Sequence, residues 1–266
     1  TRHLWFATAD NGIASLIYAP SEVTAQVGND ITVKIAEKTD YPFEEKIDFN
    51  LSFPSKKDKK AFFPFHLRIP AWCNNPVITI NGEAVSIAAH SGEIVRINRE
   101  WKDGDEVVLN LPMEYAVRQW QGNKNSVSVD YGPLTLSLRV EEEYKQMPST
   151  ETAVWDSKWQ EGADASAWPT FEILPASPWN YALRVQSPIT LQRRNWPSDN
   201  NPFTLSSVPM EFKAQGRLVP EWKIDEYGLC GVLPYENARK SNRLDEITLV
   251  PMGAARLRIS AFPVAE

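Results

Sequence analysis

The sequence predicts an all-β protein with little helix, built from two antiparallel β-sandwich domains of the jelly-roll kind. Three observations predict this fold. Apolar and polar residues alternate in many short runs, which is the period of a half-buried strand. Turn-forming pairs such as Asn-Gly and Asp-Gly separate the runs. No stretch of ten or more residues carries the apolar stripe of a helix, so nothing is available to make the crossovers of a parallel sheet.

The first domain is expected to cover residues 1–142. Its clearest strands are runs in which apolar side chains occupy every second position, at 31–35, 47–53, 107–111 and 134–138. Regular alternation of this kind places one face of each strand in a core and the other in solvent. These runs therefore predict a sandwich whose sheets each bury one face.

Two glycine-containing turns are predicted within this domain. Asn81-Gly82 lies between the runs 77–80 and 83–87, and it predicts a tight hairpin because both central residues of a type I′ turn need a positive φ. Asp103-Gly104 turns the chain between 94–97 and 107–111. The hairpin is the most specific local prediction in the sequence.

A smaller second β domain is expected over residues 143–266. It opens with a long irregular insertion at about 147–179, which is acidic, rich in Ser, Ala, Pro and Trp, and weakly periodic. Alternation resumes at 210–213, 247–249 and 256–259, and these runs predict the strands that close the chain.

Composition limits the partners. The formal net charge of -6 and a pI near 5.3 argue against nucleic acid and against an anionic membrane surface, since both favour a concentrated basic patch. No apolar run approaches the roughly 20 residues of a membrane helix. The chain begins at Thr1 without a methionine or a signal peptide, so we expect a piece of a longer protein.

No catalytic or metal-binding residue is predicted in this chain. The cysteines and histidines are scattered along it, which disfavours a zinc site, and pairing of the two cysteines stays open: Cys73, Cys230, His3, His66 and His90. Paired carboxylates of the kind that hydrolyse sugars occur at 44–45, 103–105, 141–143 and 245–246. Because they border turns or lie on polar strand faces, solvated surface charge is the expected role of all of them.

Tryptophan supplies the one candidate binding surface. The chain has ten tryptophans, and four lie in the irregular insertion, where their rings need not belong to a sheet core: Trp155, Trp159, Trp168 and Trp179. Flat aromatic rings stack on the apolar face of a sugar, so these four are the candidate carbohydrate-binding residues. Burial at an interface or in a core is the alternative interpretation, since large aromatic side chains are usually buried.

Several segments together resemble one enzyme family. They are LWFATADNGIASLIYAPSEV, LRIPAWC, ITINGEAV, REWKDGDEVVLNLPM, DYGPLTLSL, GRLVPEW and ITLVPMGAARLRISAFP, spread from residue 4 to residue 263. In this order they resemble the C-terminal, non-catalytic region of glycoside hydrolase family 127, the β-L-arabinofuranosidases. The stretch 147–179 matches this family least well.

The resemblance implies a longer parent. Members of that family have a helical (α/α)6 barrel, with a cysteine nucleophile held at a zinc ion, followed by β-sandwich domains. Because the family's adjacent Cys-Cys ligand pair is not found in this sequence, no catalytic residue transfers to it, and zinc is expected only in the missing barrel. The expected partner is therefore that barrel of the same polypeptide, with carbohydrate as a second candidate partner.

The sequence supports two possible functions. The first is an accessory β-sandwich region of a bacterial, periplasmic or secreted hydrolase of plant glycans, inactive without its barrel. The alternative is a stand-alone carbohydrate-binding or adhesion module, supported by the tryptophan content.

Overall fold

The computed structural model describes residues 3–148, 164–226 and 228–266, and the predicted all-β class is confirmed. Apart from the strands, the described residues form two single-turn 3₁₀ helices, Ala165–Ala167 and Met252–Ala254. Among these residues, no helix has the length and hydropathy that crossing a membrane requires. The chain divides into two compact units, Thr1–Glu114 and Tyr115–Glu266.

The first unit contains two sheets. One has the order β1-β2-β6-β9 and the other β3-β4-β5-β10-β7-β8, and all pairings are antiparallel except that of β2 with β6. The strands are β1 (Trp5–Ala7), β2 (Ile13–Ser15), β3 (Ser21–Val27), β4 (Ile31–Thr39), β5 (Lys46–Ser52), β6 (Lys60–Arg68), β7 (Val77–Ile80), β8 (Glu83–Ala84), β9 (Ile94–Lys102) and β10 (Glu106–Asn110).

An aromatic core joins these two sheets into a sandwich. The ring of Phe49 on β5 meets that of Phe65 on β6 edge to face, with centroids 5.3 Å apart. Trp101 on β9 is fully buried, and its indole N–H donates to the carbonyl of Phe63 at 3.0 Å. The hydrogen bond satisfies the one polar atom of the indole, so its large apolar surface can be buried without an unpaired donor.

The predicted hairpin at Asn81-Gly82 is confirmed. Both residues have positive φ, 53° and 83°, and β7 pairs with β8 across them. The second strand ends at Ala84 and is shorter than the run 83–87 suggested. Beyond it, only the amide of Val85 still bonds across the hairpin, to the carbonyl of Ile78 at 3.1 Å.

The second unit contains one eight-stranded sheet and a two-stranded ribbon. The sheet has the order β11-β12-β13-β19-β18-β16-β20, with β17 also paired to β18, and β14 pairs with β15 in the ribbon. The strands are β11 (Tyr115–Trp120), β12 (Ser126–Tyr131), β13 (Leu134–Leu138), β14 (Glu142–Met147), β15 (Thr170–Pro175), β16 (Tyr181–Arg184), β17 (Thr190–Arg193), β18 (Met210–Leu218), β19 (Asp245–Pro251) and β20 (Val264–Ala265).

The large sheet is strongly curled. The ring of Tyr131 on β12 lies 5.0 Å from that of Phe212 on β18, although β13 and β19 separate these strands in the sheet. A flat sheet would hold strands three positions apart at about 14 Å. Curling therefore lets one sheet enclose its own core.

The compact units divide between Glu114 and Tyr115, whereas the sequence predicts a division after residue 142. The difference concerns β11, β12 and β13. These three strands are hydrogen-bonded to the second unit's sheet, because β13 pairs with β19. Which limit marks a part that folds by itself stays a prediction.

Two strand predictions were wrong in the second unit. Residues 170–175, assigned to the irregular insertion, form β15 and pair with β14. Residues 256–259, predicted to be a closing strand, form none. Their backbone amides bond to side chains instead of a neighbouring strand: the Glu142 carboxylate accepts from Arg256 and Leu257 at 2.7 and 3.2 Å, and the Ser137 hydroxyl accepts from Ile259 at 3.0 Å.

Candidate functional site

An apolar pocket of about 150 Å³ lies in the second unit beside the β14–β15 ribbon. Its walls include Val140, Ile173, Pro175, Trp179 and Ile224. Cavities of this volume hold a benzene-sized group, whereas sites for larger ligands typically measure about 300–1,000 Å³. The walls offer few hydrogen-bonding groups, so the pocket suits one apolar group better than a sugar.

Trp179, one of the predicted sugar-binding residues, is half-buried in this pocket. Its ring packs edge to face on the buried Trp222, with centroids 5.1 Å apart. The indole N–H of Trp222 donates to the carbonyl of Gly231 at 2.9 Å, which fixes the ring on which Trp179 rests. This packing matches the alternative interpretation of Trp179 as an interior aromatic, and sugar stacking by it stays a prediction.

Of the other three predicted tryptophans, the structure describes Trp168. Trp168 precedes β15 and is 71% exposed, and it does not line the pocket that contains Trp179. Trp155 and Trp159 lie outside the described residues. The two described tryptophans, Trp168 and Trp179, therefore do not line one common pocket, and carbohydrate binding by the four predicted residues remains a prediction.

The β14–β15 ribbon carries an aromatic face that sequence reasoning missed. Tyr144 on β14 and Phe171 on β15 are both exposed, and their rings meet edge to face at 6.0 Å. The Tyr144 hydroxyl donates to the Glu142 carboxylate at 2.6 Å, and this hydrogen bond raises the pKa of Tyr144. The available signal was alternation: Tyr144 and Gln146 share one face with Phe171 and Ile173, to which they pair.

Glu37 carries a buried carboxyl group in the first unit. Glu37 on β4 is 2% exposed, and its carboxyl accepts hydrogen bonds from the Ala19 amide at 3.0 Å and from the hydroxyls of Ser15 at 3.2 Å and Ser21 at 3.4 Å. Burial raises the pKa of Glu37 to about 7, and these hydrogen bonds oppose that rise. A pKa near neutrality is a property of general acids, so Glu37 has the pKa of a candidate catalytic group.

Glu37 is sealed from solvent and is therefore not positioned to touch a substrate in this unit. A catalytic carboxyl has to lie within hydrogen-bond reach of the reacting group. Sequence reasoning missed this residue, although a signal was present. Val33 and Ile35 alternate toward the core along β4, and Glu37 occupies the next position of that face.

Asp105 is an acidic residue whose predicted exposure was wrong. It was expected to be a solvated surface charge, and it is buried instead. Its carboxylate accepts from the Lys102 amide and from the Asn81 side-chain amide, both at 2.9 Å. Asp105 therefore links the turn at 103–104 to the hairpin turn at 81–82, which is a structural role.

The remaining donors do not assemble a metal centre in the part of the chain that is described. Among those residues no three His, Cys, Asp or Glu side chains lie together as ligands. Cys73 is buried, Cys230 is exposed, and both are free thiols. His66 contacts Asp10 at 3.2 Å, and Arg96 bonds the same carboxylate at 2.9 Å. The Thr8 hydroxyl and these two side chains lower the pKa of Asp10 to about 2, so Asp10 is ionised and forms a surface ion pair with Arg96.

Most of the first unit is similar to a known kind of domain. Residues 12–113 match the family model of the beta-L-arabinofuranosidase GH127 middle domain. This GH127 match begins just before β2 and ends three residues after β10. It names a middle domain, so the C-terminal placement expected from the sequence stays a prediction. No curated protein is similar enough to the chain to count as a match.

Solved structures extend the GH127 likeness in fold to both units. A GH127 beta-L-arabinofuranosidase from Geobacillus stearothermophilus T6 has a TM-score of 0.64 at 20% identity, over 99% of this chain and 35% of that one. A glycoside hydrolase has a TM-score of 0.62 at 20% identity, over 97% and 37%. A GH127 beta-arabinofuranosidase has 0.60 at 14% identity, over 97% and 36%. The chain thus spans about a third of the length of these proteins, and at such identities the likeness shows the fold alone.

Proposed function

We propose that this chain is an accessory β-sandwich region of a glycoside hydrolase similar to the GH127 β-L-arabinofuranosidases. In this proposal the first unit corresponds to the middle domain, the second unit follows it, and a catalytic (α/α)6 barrel elsewhere in a longer polypeptide performs the hydrolysis. The observation that carries the proposal is the GH127 middle-domain match over residues 12–113. Likeness in fold to longer GH127 enzymes over nearly the whole chain supports it.

The chemistry of the described residues suits a supporting role. The one carboxyl with a strongly raised pKa, Glu37, is closed off inside the first sandwich. The residues described contain no donor group that fits a zinc ion, so no step of hydrolysis is assigned to them. We expect any zinc site and the nucleophile to belong to the barrel, which would also be the main partner of these two units.

Comparing a fragment with its parent tests this proposal. Residues 1–266 and the full-length protein encoded by the same gene are assayed at equal molarity on an aryl β-L-arabinofuranoside. We expect turnover by the full-length protein and none by residues 1–266, with a zinc chelator removing the activity of the longer protein. Turnover by residues 1–266 at a comparable rate would contradict the accessory role.

A stand-alone carbohydrate-binding or adhesion module was the alternative from the sequence. The likeness to longer hydrolases does not favour it, since the matched proteins carry these two units as about a third of their length. Carbohydrate contact by a part of the region is a separate question.

A further inference from the structure

A polar concavity of about 780 Å³ lies in the second unit, between the β11–β12 turn and the loop 233–240. Gln121, Lys124 and Asn125 line it from the turn, and Tyr235 and Asn237 from the loop. Its walls are predominantly polar, and it is largely open to solvent. It is distinct from the apolar pocket beside Trp179, with which it shares no lining residue.

The Tyr235 side chain is exposed, whereas the backbone on both sides of it is anchored. Its side chain is 63% exposed, whereas Leu233 before it and Ala238 after it pack against the buried cluster that contains Trp222. The Ala238 amide also donates to the Tyr235 carbonyl at 3.0 Å, which closes a turn. Single exposed aromatic residues are common on protein surfaces. An exposed ring whose backbone is anchored on both sides is better suited to binding, because little conformational entropy is lost when a ligand contacts it.

Lys124 contacts both the Tyr235 ring and the backbone beside it. Its ammonium lies 4.4 Å from the centroid of the Tyr235 ring and donates to the Leu233 carbonyl at 2.6 Å. Lys124 lies in a turn in which it and Asn125 both have a φ of 55°. A left-handed conformation costs a residue such as lysine about 1–2 kcal/mol, whereas asparagine tolerates it. Strain of this kind is often retained where a side chain is needed in one position.

The lining groups define the class of ligand. Gln121, Asn125 and Asn237 present carboxamides, which both donate and accept hydrogen bonds, as sugar hydroxyls do. Lys124 is already engaged by a carbonyl and a ring, and two carboxylates, Glu236 and Glu266, also line the concavity, so an anion is not favoured. Predominantly polar walls likewise disfavour an apolar ligand.

We infer that this concavity binds a neutral oligosaccharide. One sugar ring stacks on the open face of Tyr235, and the three carboxamides bond the hydroxyls of that ring and its neighbour. The inference goes beyond the proposed accessory role and does not depend on it, because it concerns binding by the second unit alone. It also places carbohydrate contact away from Trp168 and Trp179, the described residues predicted for it from the sequence.

Titration of the 266-residue chain tests the inference. The probes are arabino-, xylo- and cello-oligosaccharides of four residues, with tetragalacturonic acid as the charged comparison, measured by calorimetry and by NMR. We expect saturable binding of at least one neutral probe. Tyr235→Ala should weaken it about tenfold, which corresponds to about 1.4 kcal/mol. Tyr144→Ala, a matched loss of an exposed tyrosine in the same unit, should change it less than about twofold.

Lys124→Gly separates binding from folding. Glycine accepts a positive φ without strain, and this relief offsets the loss of the contacts of Lys124 with Leu233 and Tyr235, so the melting temperature should change little. Binding should weaken, because the Tyr235 ring is no longer held by Lys124. Three outcomes would each overturn the inference: no neutral probe binds, Tyr235→Ala leaves binding unchanged, or tetragalacturonic acid binds more tightly than every neutral probe. Failure of the accessory role would appear separately, as turnover of an aryl glycoside by the same chain.

Discussion

At the scale of single residues, the buried carboxyl of Glu37 makes the stability of the first unit depend on pH. Its pKa is about 7 in the folded protein and 4.5 by default in an unfolded chain. Between these values the folded protein retains a proton that the unfolded chain has released, so raising the pH favours unfolding. The contribution of Glu37 to stability is therefore fully present below about pH 4.5, falls up to about pH 7, and is level above that. The difference amounts to about 3 kcal/mol.

Glu37→Gln should remove this dependence. The amide keeps an acceptor for the Ala19 N–H and can donate to the hydroxyls of Ser15 and Ser21, and it never ionises. We expect the variant to exceed the parent in free energy of unfolding by up to about 3 kcal/mol at pH 8 and to match it near pH 4. Urea unfolding across this pH range measures the difference.

Glu22→Gln is the matched control, because Glu22 lies exposed on the neighbouring strand β3 and forms a surface ion pair with Lys34 at 2.8 Å. It should shift stability by less than about 1 kcal/mol at every pH. An unchanged pH profile in Glu37→Gln would show that the Glu37 carboxyl does not hold its proton at neutral pH.

Glu211 presents the opposite electrostatic case. Its buried carboxylate bonds Arg139 at 2.6 Å and Arg194 at 2.7 Å. Removing one member of a buried ion pair network leaves the others partly unpaired, which typically costs about 3–5 kcal/mol. We expect Glu211→Ala to lower the free energy of unfolding by about 3–5 kcal/mol, measured by urea unfolding.

Glu141→Ala is the control, because it removes an exposed partner of the same Arg139. It should lower the free energy of unfolding by less than about 1 kcal/mol. Equal losses of unfolding free energy in the two variants would contradict this account.

At the scale of elements, alternation and turn chemistry predicted what neighbouring residues decide among themselves. The runs at 31–35, 47–53 and 107–111 correspond to β4, β5 and β10, because one face of each strand is buried. Segments whose amides bond to distant side chains instead of to a neighbouring strand were not predictable. Alternation at 256–259 satisfies the same pattern, yet its amides bond to Glu142 and Ser137, more than a hundred residues away.

The hairpin turn at Asn81-Gly82 offers a direct test of backbone strain. A methyl group on Gly82 would meet no atom within 4 Å, but its φ is +83°. Gly82→Ala should therefore lower stability by about 1–2 kcal/mol through the backbone alone. Gly122→Ala is the control, since Gly122 has equally open space and no positive φ in that range. Thermal unfolding should find Gly122→Ala close to the parent, and equal effects of both changes would refute the backbone explanation.

At the scale of the whole molecule, the candidate sites were less predictable than the fold. The tryptophan content of the stretch 147–179 predicted carbohydrate binding there. Within it, Trp179 packs on Trp222. The concavity at Tyr235 combines a turn with a loop more than a hundred residues later, and no spacing in the sequence joins them. Only the fold brings Lys124 to the ring of Tyr235.

Two fragments test whether the first folding unit ends at residue 114 or at residue 142. Residues 1–114 contain both sheets of the first sandwich, and their end is fixed to Glu45 through the amides of Leu111 at 2.9 Å and Met113 at 2.8 Å. Residues 1–142 add β11, β12 and β13 without β19, the partner of β13. An unpaired strand edge that also exposes the buried Leu136 and Leu138 promotes association.

We therefore expect the shorter fragment to be monomeric and to unfold in one cooperative step, retaining the pH dependence due to Glu37. The longer fragment should self-associate and bind a hydrophobic dye. Light scattering after size-exclusion chromatography, together with urea unfolding, distinguishes them. A monomeric 1–142 fragment beside an unfolded 1–114 fragment would instead place the folding limit at residue 142, because β11, β12 and β13 would then be needed to complete the first domain.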